Sequence, residues 1–147
     1  MSMFSALEVS GSAMAAQRQR AEVVAANMAN ADTTRTSSGG PYQRKEVVFK
    51  SSGGSAFQMM LAGFRRMVGR PTQAVRVSRV ISDPTPPVMR YEPGHPDADK
   101  NGYVAYPAIN PVTEMVDLMG AVRSYQLNAA AVAATKQMIQ GSMDILK

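Results

Sequence analysis

The residues that come nearest to a chemical motif are Asp97-Ala98-Asp99-Lys100-Asn101-Gly102-Tyr103-Val104. Oxygen ligands at alternate positions, a glycine at the sixth and an apolar residue at the eighth match the first part of a calcium-binding loop between two helices. The twelfth position, which should supply a bidentate glutamate, is Ala108, and Pro96 and Pro107 interrupt the helices that should flank such a loop. A turn built from Asp, Asn and Gly accounts for the same residues without a metal.

His95 is the only histidine, set between Gly94 and Pro96, and there is no cysteine. With one imidazole and no thiolate, neither a nucleophile-base pair nor a zinc site can be assembled. Nothing matches a nucleophile elbow or a glycine-rich phosphate loop. The sequence therefore points away from catalysis: no catalytic residue, cofactor or metal ligand is expected.

Two asparagines are the other polar residues that ask for a purpose. Asn27 and Asn30 interrupt an alanine-rich run that ends in Asp32-Thr33-Thr34. Three residues apart, they lie on neighbouring helical turns, where short amides can bond an adjacent helix while Ala25, Ala26 and Ala29 permit close approach. Asp32, Thr33 and Thr34 then suit the helix exit. In a polymer, such amides would set the register between subunits, as a buried asparagine does in coiled coils.

The elements that must position these groups are two terminal helices and a β-rich middle. Met115, Leu118, Val122, Tyr125, Ala129, Val132, Lys136, Ile139, Met143 and Leu146 alternate three and four residues apart, a heptad seam in which only Lys136 is polar. Such a helix is about 48 Å long. Asn110 suits its N-cap, Pro111 its first position, and Glu114 and Asp117 its positive end. A thinner stripe of Met3, Leu7, Ser10, Met14, Gln17, Ala21, Val24 and Met28 marks the N-terminal helix, with a capping box at Ser5 to Glu8 or a start nearer Ser2. So thin a stripe needs a partner, and the pairing of the two helices is the economical solution. Further apolar positions at Val112, Val116, Met119 and Ala133 leave surface over for other subunits.

Between the helices, residues 41–50 and 74–82 read as β-branched strands with Lys and Arg at exposed or edge positions. Residues 86–91 and 103–107 flank a stretch whose Pro, Gly and Asn-Gly punctuate a long loop or a hairpin tip. Residues 51–70 admit a short basic amphipathic helix or a mobile insertion. The expected architecture is α+β: long N- and C-terminal helices paired as an antiparallel coiled coil, with a small β-rich domain between them. Residues 1–34 and 108–147 form the helical part and 35–107 the middle, with a variable insert at 51–70.

Composition bounds the rest. A chain of 147 residues is one domain. Of the net charge of +5, residues 35–111 hold +6, with eleven basic against five acidic groups. That excess suits a nucleic acid, an anionic surface, or strand edges guarded by cations. The N-terminus lacks the pattern of a secretory signal, and no apolar run is long enough to span a bilayer.

The stretch "AANMANADTT" at 25–34 resembles the A-N-x-A-N-x-x-T signature near the N-terminus of bacterial flagellar rod, hook and hook-associated proteins. "RYEPGHPDADKNGYV" at 90–104, "PAINPVTEM" at 107–115 and "SYQLN" at 124–128 are similar to segments of the proximal-rod members of that family. Leu127 and Ala108 stand where those members more commonly carry Ala and Asn, and no family role carries over to 51–70.

The resemblance implies a structural subunit without enzymatic activity, exported through the flagellar type III apparatus without a cleaved signal peptide and polymerised in the periplasmic rod of the basal body. Its partners would be itself and other rod subunits, with no nucleic acid and no direct membrane insertion. The residues expected to carry assembly are Leu7, Met14, Val24, Asn27, Met28 and Asn30 on the first helix. On the second they are Met115, Leu118, Val122, Tyr125, Val132, Ile139, Met143 and Leu146. An exported helical adaptor and a basic nucleic-acid-binding module remain as alternative readings of the residues.

Overall fold

A computed structural model describes residues 3–52 and 74–144. Leu146 and most of the 51–70 insert lie outside the described residues.

The chain opens with helix α1, Met3–Ala29. It begins ahead of the expected capping box, so Ser5 and Glu8 sit within its first turns. Its exit is closed by its own side chains: Asn30 Nδ2 donates to Ala26 O at 2.8 Å, and Thr33 Oγ1 donates to Asn30 Oδ1 at 3.2 Å. Ala26 O thus takes the Asn30 side chain as well as Asn30 N, which donates to it at 3.1 Å, and Thr33 fixes the Asn30 amide at the helix end.

Strands β1 (Lys45–Ser52) and β2 (Ala74–Ser82) pair antiparallel from Lys45 opposite Ser82 to Ser52 opposite Ala74. A bulge breaks the register between Val48, which faces Arg79, and Phe49, which faces Val77. Strands β3 (Val88–Tyr91) and β4 (Tyr103–Tyr106) form a second antiparallel pair, closed by the hairpin tip at 92–102. Ser12 joins α1 to the first pair, its Oγ accepting from Val75 N at 3.0 Å while donating to Val9 O at 2.8 Å.

Helix α2, Pro111–Asp144, closes the chain. Asn110 is its N-cap, with Oδ1 accepting from Val112 N at 2.9 Å and Thr113 N at 3.4 Å, and Pro111 takes the first helical position. The two helices pack against each other. They run antiparallel: Asn27 meets Glu114, and going back along α1, Arg20 meets Asp117 further along α2.

The face that α2 turns inward differs from the apolar seam. Its buried residues are Glu114, Ala121 and Thr135, with Asn128 half-buried in the same seven-residue row. Met115, Val122 and Met143 are exposed, as are Val112, Val116 and Met119. Leu118, Val132 and Ile139 belong to both rows and are half-buried. Small and short polar side chains admit α1 closely. Asn128 Nδ2 and Thr135 Oγ1 each donate to the carbonyl four residues earlier, at 2.8 Å, so neither needs a partner on α1. The core is correspondingly unusual: the largest fully enclosed side chains among the described residues are Glu114, Val104 and Asn27.

Candidate functional site: a polar node joining three parts of the chain

Asn27, in the last turns of α1, uses its whole hydrogen-bonding capacity. Nδ2 donates to Lys45 O at 2.9 Å and to Glu114 Oε2 at 3.0 Å; Oδ1 accepts from Lys45 N at 2.9 Å and from Tyr42 OH at 3.2 Å. An amide facing one residue's N–H and C=O imitates a neighbouring strand, so Asn27 caps the edge of β1 while holding α2. With no exposed surface, it bonds the adjacent helix of its own chain. Asn30, expected beside it, bonds its own helix end instead.

Glu114 is equally enclosed, and its other carboxylate oxygen accepts from Arg44 Nε at 2.6 Å. A charge-assisted contact this short is what offsets the cost of removing a carboxylate from water. Arg44 also pairs with Glu46 and lies 3.9 Å from Asp83 Oδ2 and 3.8 Å from Asp117 Oδ2, while Asp117 takes Arg20 Nη2 at 3.0 Å. Burial pulls the Arg44 guanidinium down, but the hydrogen bond and charge of Glu114, then those of Glu46, outweigh it and hold Arg44 above its ordinary value. Burial, then the Glu114 charge, pushes the Tyr42 phenol up. Hydrogen bonds from Thr85 hold Asp83 below the ordinary carboxylate range, with Arg44 adding to them against desolvation.

The node is a joint. No water-activating base or nucleophile stands in it, since each acid is held by a cation or an amide. Its charged members, Glu114 and Arg44, lay outside the expected assembly residues. Glu114 reads in the sequence as a dipole partner and Arg44 as an edge charge, and no local signal links residues 70 apart.

The carboxylates of the hairpin tip are also engaged. Asp99 Oδ1 accepts from Asn101 N at 2.7 Å and Tyr103 N at 2.9 Å, which is the Asp-Asn-Gly turn. Asp97 accepts from Thr34 Oγ1 at 2.8 Å and pairs with Arg35 at 3.6 Å, tying the tip to the exit of α1. His95 Nδ1 accepts from Asp97 N at 3.1 Å. Tyr106 lies under the Arg90 guanidinium, 4.6 Å from the ring centre, and its hydroxyl donates to Glu92 at 2.9 Å, a bond that raises its pKa ahead of desolvation.

Among the remaining assembly candidates, Val24 is buried, while Leu7, Met14 and Met28 are half-buried. Tyr125 is exposed beside Met115, Val122 and Met143. No described helix is long and apolar enough to cross a membrane.

The two segments that meet at the node match known families. Residues 7–35 match the family described as flagella basal body rod protein, and residues 100–145 match the C-terminal region described for flagellar basal body rod FlgEFG proteins. Over the whole chain the sequence is 40% identical to the flagellar basal-body rod protein FlgC of Bacillus subtilis, each chain being covered in full. It is 34% identical to FlgC of Borreliella burgdorferi, covering 100% of this chain and 99% of the relative. Against FlgC of Salmonella typhimurium it is 39% identical, covering 95% and 94%. The chain, whose polar joint ties the two matched segments together through Asn27 and Glu114, belongs to the FlgC family and is a structural rod subunit of the flagellar basal body.

Proposed function

We propose that the subunit builds the rod by polymerising through its terminal helices. The observation that carries this reading is the outward face of α2, where Val112, Met115, Val116, Met119 and Val122 are all exposed along one side of three turns. Contiguous apolar surface of that kind on a single chain marks a place where another chain sits. Met143 adds a further exposed side chain near the end of α2, and Phe4 adds a 75% exposed ring at the start of α1. Leu118, Val132 and Ile139, shared between the two rows, support both the chain's own helix pair and its neighbours. Val24, Asn27 and Asn30 act within the subunit, and Leu7, Met14 and Met28 line the half-covered side of α1.

On this reading residues 1–34 and 108–147 are the polymerising core and 35–107 the middle domain. The row through Glu114, Leu118, Ala121, Tyr125, Asn128, Val132 and Thr135 serves as the seam of an antiparallel coiled coil. Head-to-tail contacts that do not close generate a helical tube, and long helices within it suit a shaft that transmits torque. A cysteine-free chain suits passage through the flagellar type III export apparatus into the periplasm.

Val122→Asp tests the reading. A carboxylate at the centre of the outward face should abolish incorporation into basal bodies and motility while expression and helix content are kept. Normal rods from this variant would remove the outward face as an interface. Amide exchange adds a second measurement: α1 and α2 should gain protection in isolated basal bodies relative to the purified chain. Full protection in the free chain would favour a self-contained adaptor.

A further inference from the structure

The outward side of the first strand pair carries three cations whose alignment depends on the bulge. Lys50 faces Arg76 directly, and Arg79 faces Val48, two residues back along β1 and therefore on the same side as Lys50. Arg76 and Arg79 are three apart, so regular alternation would send them to opposite sides. The extra residue at Ser78, opposite the break between Val48 and Phe49, brings them onto one. All three are exposed. Among the described residues none pairs with a carboxylate, whereas Arg18, Arg20, Arg35 and Arg44 all do. The connecting residues 53–73 contain no acidic residue, so from 45 to 82 seven basic residues face Glu46 alone. Like charges directly opposite each other on a strand pair cost stability.

We infer that this face, Lys50, Arg76 and Arg79 with Val48 among them and Ile81 beyond Arg79, opposite the Glu46 that Arg44 already holds, docks against an acidic surface on a different protein of the basal body. A second copy of this chain is a poor complement. Six of its eleven carboxylates are already paired with arginine, Glu92 takes the Tyr106 hydroxyl and Asp99 holds its turn. That leaves Glu8, Asp32 and Asp144, scattered over α1, its exit and the end of α2. Two of the three cations are arginines, whose planar fork bonds carboxylates two at a time, and the partly exposed Ile81 beside them fits a protein surface better than a hydrated headgroup layer. The inference rests on membership of the rod and is independent of how α2 polymerises.

The test uses isolated basal bodies and a carbodiimide, which activates a carboxylate so that the Lys50 amine joins it as an amide. Peptide mass spectrometry should find Lys50 bonded to Asp or Glu of a protein other than this one. An Arg79→Lys variant, with charge unchanged, should report a second such bond. In parallel, Arg76→Gln should raise the melting temperature of the purified chain, because it relieves the repulsion with Lys50. Combined with Lys50→Gln and Arg79→Gln, it should also lower the number of rods per cell. Lys50 left free in the assembled rod, or bonded only to another copy of this chain, would overturn the inference. So would normal rod numbers in the triple variant, as expected if the cations only guard strand edges. Binding of the purified chain to phosphatidylglycerol vesicles that the triple variant loses, with Lys50 unlinked in basal bodies, would assign the face to lipid instead.

Discussion

Asn27 Nδ2 and Glu114 Oε2 stand 3.0 Å apart across 87 residues of sequence, and both side chains are wholly enclosed. The contact makes an amide on α1 the support of a buried carboxylate on α2. Asn27→Ala should leave Glu114, the Lys45 backbone and the Tyr42 hydroxyl each short of a partner and lower stability by about 2–4 kcal/mol. Asn27→Asp should cost more, since it sets a second carboxylate against Glu114. Urea denaturation followed by circular dichroism measures both, and an alanine variant within about 0.5 kcal/mol of the parent would be the ordinary result for a surface site and would refute the node.

Among the described residues, Arg44 is the only cation that bonds Glu114 directly. Arg44→Met should therefore destabilise by about 3 kcal/mol, because it leaves a buried charge uncompensated. Removing the charge as well, in an Arg44→Met, Glu114→Leu pair, should recover part of the loss, since two apolar side chains need no partner. Thermal unfolding of Arg44→Met, Glu114→Leu and the double variant decides the matter: a double variant that loses as much as the two single variants together would show that the pair is not coupled in this way.

Tyr42 gives the node a pH dependence. Its phenol is pushed up, first by burial and then by Glu114, so the unfolded chain releases that proton at a lower pH than the folded one. The stability it contributes is complete below the unfolded value, about pH 10, and is lost as pH rises through the folded one. Tyr42→Phe cannot ionise. Between about pH 9 and 11 the parent should lose stability relative to Tyr42→Phe, read from urea midpoints at each pH. Parallel profiles would mean that the phenol is not held in the enclosed position.

The two helices, the Asn110-Pro111 start and strand β2 were legible because each follows from local chemistry: heptad spacing, an N-cap side chain and a β-branched run. The tip at 92–102 was legible for the same reason, through Pro93, Gly94 and the Asn101-Gly102 pair. The inward face of α2 was not. Leu118, Val132 and Ile139 fit both possible rows, and a reading that sends apolar residues inward selects Met115 and Val122 over Glu114 and Ala121. What reverses the choice is the distant pair Asn27 and Arg44, which makes a buried glutamate tolerable. The bulge at Ser78 was hidden as well, since "AVRVSRVIS" alternates plausibly in either register.

Gly102 offers a test of the hairpin tip that leaves the helices aside. Its φ is +82°, a conformation that costs a residue with a side chain, and an added Cβ would meet Tyr91 Cε2 at 2.9 Å and Pro93 Cβ at 3.2 Å. The Tyr91 ring is 65% exposed and can swing aside, but the proline ring cannot, and Glu92 N donates to Gly102 O at 2.8 Å across the same turn. Gly102→Ala should therefore cost about 1–2 kcal/mol. The loss should be local: the amides of Val104 and Tyr106 should exchange faster while those in the middle of α1 and α2 keep their rates. Unchanged exchange in β4 would mean that the tip relaxes without loosening the strands, and faster exchange throughout would mean that Asp97, through Thr34 and Arg35, couples the tip to α1.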